Sequence, residues 1–119
     1  MNGHYQQDSN DYVTEVLKLY LELPETPRKA NTNDKITAAG LYERGIQMTT
    51  VESAFLLASV RRLGRSPDLP PLTPIRSLAY FLPVIQEILE KQVNDDYLMY
   101  LRMKVRSLCS RNRIAVKCG

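Results

Sequence analysis

The sequence predicts an all-α protein, a compact bundle of about five helices with a proline-rich connector before the fourth and a basic C-terminal end. Two patterns carry that expectation. Apolar residues recur at intervals of three and four through most of the chain, and no stretch alternates with period two for long enough to make a sheet. The 119 residues, 44% hydrophobic and 24% charged, suit one domain of ordinary globular composition. A chain this long buries roughly two-thirds of the surface that its unfolded form exposes, so one core needs no metal or disulfide staple.

Residues 1–10 lack apolar periodicity and read as a flexible lead-in to a helical domain over 11–108, with a basic tail over 109–119. The first helix carries Val13, Val16, Leu17, Tyr20 and Leu21 on one side and stops by Pro24. A second starts in the cap cluster Thr32-Asn33-Asp34, turns Ile36, Ala39 and Tyr42 inward, and ends at Gly45. For the third, Thr49 and Glu52 match a capping box, and the apolar run from Val51 to Val60 predicts a largely buried helix that emerges at Arg61 and Arg62 and ends at Gly64. Four of the seven prolines fall between Pro67 and Pro74, which makes residues 66–73 an extended connector. Thr73 as cap and Pro74 as first helical residue open a fourth helix, with a kink, or two short helices meeting, near Ala79 to Pro83. Asn94, Asp95 and Asp96 cap a fifth, which turns Leu98, Leu101, Val105 and Leu108 inward.

Charge is the most informative feature. All thirteen acids precede residue 101, so residues 1–100 carry a net −3 while residues 101–119 carry +6, and the overall +3 is the sum of an acidic body and a basic end. Arg102, Lys104, Arg106, Arg111, Arg113 and Lys117 make up that end, and Arg61, Arg62, Arg65 and Arg76 flank the proline connector. Clustered cations neutralise phosphates and release counterions, and the arginine fork binds phosphate oxygens in pairs. The alternative is structural: cations complementing helix C-termini, Arg61 or Arg65 paired with Asp68, and Arg76 paired with Glu52. The helices on either side of Gly45 have helix-turn-helix spacing, but Phe55-Leu56-Leu57 leaves the second without a polar reading face, which favours a buried hairpin. Tyr97, Met99, Tyr100 and Met103 make the fifth helix apolar over more than one face, which fits a partner interface as well as core.

Enzymatic chemistry finds no constellation. The one histidine, His4, falls in the lead-in, the glycines form no phosphate loop, and no acid cluster has metal-ligand spacing. No enzyme activity, cofactor, metal or small-molecule substrate is expected. Pro67-x-x-Pro70 and Pro71-x-x-Pro74 formally match polyproline ligands but suit a connector better. Cys109 and Cys118 have neither disulfide-framework nor zinc spacing and read as reduced thiols. No apolar stretch reaches bilayer length and residues 1–10 have no signal-peptide core, so the expectation is a cytoplasmic protein with no membrane partner.

The order Val16-Leu17-Lys18-Leu19-Tyr20, Ala38-Ala39-Gly40-Leu41-Tyr42-Glu43-Arg44-Gly45, Val51 to Val60 and Ser77-Leu78-Ala79-Tyr80-Phe81-Leu82-Pro83-Val84-Ile85 resembles the small helical domain of DnaD-like replication proteins, over about residues 12–91. In that family a basic C-terminal stretch follows the helices and contributes to DNA binding. The proline connector, Pro83 and the lack of a tryptophan depart from the family layout. The block from Pro74 to Pro83 also resembles one found in short uncharacterised bacterial proteins. The expected function is a non-enzymatic accessory module in replication or mobile-element transactions, binding DNA through phosphates with the ten cations named above. The alternative is a protein–protein adaptor or homo-oligomerisation module using the Tyr97–Leu108 helix.

Overall fold

In the computed structural model, which describes residues 9–112, the first helix is α1 (Ser9–Leu21). Tyr12, Val16 and Tyr20 are spaced four apart on it and form one buried ridge. After a polar connection, Asn31 caps α2 (Thr32–Glu43) reciprocally with Asp34: the Asp34 N–H donates to Asn31 Oδ1 at 2.8 Å, and the Asn31 N–H donates to Asp34 Oδ2 at 3.0 Å. Gly45, at φ +72°, closes α2, and the Gly45 and Ile46 amides donate to the carbonyls of Tyr42 and Leu41. Glycine adopts that left-handed conformation without a Cβ penalty.

The central helix α3 (Met48–Leu63) packs against α1, α4 (Leu82–Lys91) and α5 (Asp95–Asn112), with a 3₁₀ turn (Leu78–Phe81) leading into α4. Contacts fix the directions. Tyr12 meets Tyr42 while Tyr20 lies in the field of Asp34, so α2 returns antiparallel to α1. Arg102 of α5 pairs with Glu52, and further along both helices Leu63 clusters with Val105, Leu108 and Cys109. Hence α3 and α5 run the same way. Tyr80 lies beside Arg62, so the chain enters α4 at the far end of α3 and must descend before α5 can begin. The result is an up-and-down array of five α-helices, without strands among the described residues.

Tyr20, Phe55 and Phe81 meet at the centre of the main core with ring centroids 4.8–6.4 Å apart in tilted and edge-to-face pairs. Such geometry adds about 1 kcal/mol per pair beyond burial. Leu98, Leu101, Val105 and Leu108 are buried as the spacing of the fifth helix predicts.

Five expectations are corrected. On α2, Ile36 is 63% exposed and the buried row is Asp34, Ala38 and Leu41, because Asp34 is drawn inward to accept the Leu78 N–H at 2.9 Å. The Thr49–Glu52 capping box does not form: α3 begins at Met48, the Thr50 and Val51 amides donate to the Gln47 carbonyl, and Glu52 turns to Arg102. The chain stays extended past Pro74 to Ser77, since the amides of Ile75 and Leu78 are taken by Glu25 O and Asp34 Oδ1. Pro83 then falls in the first turn of α4, where its missing N–H is harmless, so the 3₁₀ turn and α4 meet as two short helices. α5 continues to Asn112, past the expected domain end at 108. Cys109 is buried and disulfide-bonded, which corrects the reduced-thiol expectation for it, while Cys118 lies outside the described residues.

Two outcomes test this packing. Asp34→Ala strands the Leu78 and Asn31 amides and should lower stability by about 3 kcal/mol in urea titration; a loss below about 1 kcal/mol contradicts the role assigned to Asp34. The buried Tyr20 hydroxyl has no hydrogen-bond partner among the described residues, and burial, then the Asp34 charge, raises its pKa from 10.0 to about 12. A folded-state pKa above the unfolded value gives stability that is complete below pH 10 and is lost as pH rises toward 12. Tyr20→Phe should therefore preserve stability at neutral pH and flatten its decline between pH 10 and 12, measured by unfolding titrations across that range.

Candidate functional site

The ten cations nominated by the sequence divide into distinct environments. Arg62 is interior rather than solvent-facing, with its side chain only 7% exposed. It donates to Glu25 Oε1 at 2.7 Å, to the Thr73 carbonyl at 2.7 Å and to the Tyr80 hydroxyl at 3.2 Å, and its guanidinium lies 5.5 Å from the centre of the Tyr80 ring. Burial works to lower its pKa, but the hydrogen bonds from Arg62 to Tyr80 and Glu25 outweigh that and leave it raised. Arg62 therefore fastens the proline connector and the α1–α2 connection to the end of α3.

Arg61 forms a two-pronged pair with Glu87, which also accepts from Lys91 one turn on. The Arg61 hydrogen bonds, then that from Lys91, bring the Glu87 pKa from 4.5 down to about 2. Arg102 makes a second such pair, to both oxygens of Glu52 at 2.9 and 3.0 Å, and the hydrogen bonds to Glu52 raise its pKa. The partners expected from sequence were different: Glu52 takes Arg102 in place of Arg76, and Glu87 takes Arg61 in place of Asp68. Both pairs join residues 26 and 50 positions apart, a separation that only the tertiary fold reveals.

Arg65, Arg76, Lys104 and Arg106 have no carboxylate partner among the described residues. Arg65 donates to the Pro70 carbonyl at 2.9 Å and forms no ion pair among the described residues. Arg76, Lys104 and Arg106 are exposed and likewise form none. Arg111 lies in the last turn of α5, and Arg113 and Lys117 fall outside the described residues. Because α3 and α5 run the same way and Leu63 meets Val105, Leu108 and Cys109, Arg65 and the basic part of α5 share one end of the bundle.

No family model, curated protein or solved structure matches this chain. The residues themselves therefore carry the functional reading. α3 offers no groove-reading face, since Val51, Ser53, Ala54, Phe55, Leu57, Ala58, Ser59 and Leu63 are all buried. A groove of about 320 Å³ between the end of α1, α3 and α5 has walls of Leu19, Leu23, Phe55, Leu56 and Val105, with Glu22, Glu52, Arg102 and Arg106 among its lining. Two of those charges, Glu52 and Arg102, already satisfy each other. No group of three or more His, Cys, Asp or Glu residues that could hold a metal occurs among the described residues, and no described helix is long and apolar enough to cross a membrane.

Of the interface candidates, Tyr97 is half-buried and stacks on Tyr100 with ring centroids 6.3 Å apart. Met99, Tyr100 and Met103 are 55%, 55% and 63% exposed, so they are surface rather than core.

The contrast between Arg61 and Arg62 gives a direct test. Arg62→Ala removes three hydrogen bonds at a buried site and should cost about 2 kcal/mol, with faster proteolytic cleavage in residues 66–77. Arg61→Ala removes an exposed pair and should change stability by about 0.5 kcal/mol or less. Equal effects in thermal unfolding contradict the structural role of Arg62.

Proposed function

We propose that this chain is a small accessory module that binds DNA through phosphate contacts at the C-terminal end of α5, with Lys104 and Arg106 as its described contact residues, Arg65 at the same end of the bundle, and Arg76 as a further exposed cation. One observation carries the reading. Glu25, Glu52 and Glu87 neutralise Arg62, Arg102 and Arg61, but no carboxylate among the described residues pairs with Lys104 or Arg106. Residues 101–119 hold six cations and no acid, and of Arg102, Lys104 and Arg106 only Arg102 is matched by a carboxylate among the described residues. An exposed run of cations on a helix packed along its length to α3 presents charge at fixed spacing, which suits a phosphate backbone. With the apolar face of α3 buried, recognition falls on the backbone and is indifferent to base sequence.

Fluorescence anisotropy with a short labelled duplex, repeated over a salt series, tests this reading. Log affinity should fall linearly with log salt, and Lys104→Ala/Arg106→Ala should reduce the slope by about two. Arg61→Ala, which removes a cation already paired with Glu87, should leave the slope unchanged. A slope unaltered by the double substitution contradicts the assignment.

A further inference from the structure

We infer that the outward face of α5 is a self-association surface, on which a second copy of this chain docks its own α5 in antiparallel register. The face is defined by spacing: Asp96, Met99, Tyr100, Met103 and Ser107 recur at i, i+3, i+4, i+7 and i+11, and all five are exposed. They lie opposite the row Leu98, Leu101, Val105 and Leu108 that holds α5 on the core. The apolar centre, Met99, Tyr100 and Met103, is more than half exposed at each residue, although the same helix has ample polar residues elsewhere. Methionine and tyrosine there fit a contact patch that adapts its shape to a partner.

Charge selects the occupant. Asp95 and Asp96 lie at the N-terminal end of the face, Lys104 and Arg106 lie beyond its centre, and none of the four forms an ion pair among the described residues. A face that is acidic at one end, apolar in the middle and basic at the other complements itself when reversed. In the antiparallel pairing, Tyr100 of each copy packs on Met103 of the other, and Asp96 of each reaches Lys104 and Arg106 of the other. The parallel alignment sets like charges together and is disfavoured. Opposed helix dipoles add to the preference. A contact the same on both subunits closes at two copies and does not propagate into a filament. A single helix pair buries less than the roughly 800 Å² per partner of a standard interface, which places it among weak, reversible associations.

This inference does not rest on the DNA reading, and its test contains no nucleic acid. Sedimentation equilibrium of the full chain should show a monomer–dimer equilibrium that weakens several-fold with added salt. Asp96→Lys and Lys104→Glu should each weaken the dimer about tenfold, and the two together should restore it to within about threefold of the parent. Met103→Glu should leave a monomer. Because all of these side chains are exposed, circular dichroism should show the same helical content in every variant. A parent that remains monomeric to about 1 mM in low salt, a dimer indifferent to Met103→Glu, or a double charge swap no tighter than the single substitutions overturns the inference.

Discussion

The carboxylate of Asp34 stands where two distant parts of the backbone must be joined. One oxygen closes the cap of α2 and the other takes the N–H of Leu78, forty-four residues later, so a single 1%-exposed side chain ties the start of the second helix to the turn that opens the fourth. A buried carboxylate without a cation is tolerated because backbone amides and the positive end of α2 surround it. Fixing Leu78 places Phe81 against Tyr20 and Phe55, and with them the entry to α4. The descent of α4 then sets where α5 starts, and hence which of its faces meets α3 and which meets solvent.

Arg62 complements this joint from the opposite side of the connector. The proline segment has few backbone donors of its own, so its position depends on groups that reach it from elsewhere, chiefly the Arg62 guanidinium on Thr73 and the Glu25 carbonyl that accepts from Ile75. Glu25 serves both ties from a left-handed backbone conformation at φ 67°, with its carboxylate on Arg62 and its carbonyl on Ile75. The electrostatic consequence reaches the candidate site. Cations that looked equivalent in the sequence separate into those paired with glutamates, Arg61, Arg62 and Arg102, and those without a carboxylate partner among the described residues, Lys104 and Arg106 on α5 and Arg65 and Arg76 beside the connector.

Helical periodicity was enough to reveal the all-α class, the buried row of α5 and the burial of α3, because each is a repeated apolar pattern in one segment. What it missed was polar and non-local. Asp34 reads as an ordinary cap residue until Leu78 arrives to share it, and that demand turns Ile36 outward in place of Asp34. Glu52 has the spacing of a capping box with Thr49, yet an ion pair with Arg102 competes for it and wins. Pro74 and Pro83 are both acceptable as first-turn prolines, and only the amide partners Glu25 and Asp34 show that the helix waits for the second. The basic end was visible as composition, but which arginines remain unneutralised depended on glutamates far away in sequence. Exposure of Met99, Tyr100 and Met103 was equally open, since a helix wet on one side and a helix buried all round share much of the same apolar content.

α5 thus combines three properties along one rod: an inner leucine and valine row that fixes it to α3, an outer apolar patch, and the cations Lys104 and Arg106, which no carboxylate among the described residues pairs. We propose that this end of α5, and not Arg61 or Arg62, meets phosphate. An amide NMR titration of the full chain with a short DNA duplex addresses it residue by residue. Shifts concentrated at residues 103–112, with smaller changes at Arg65 and Arg76, are the predicted result. Shifts centred on Arg61 and Arg62, or spread evenly over every exposed cation, would contradict it.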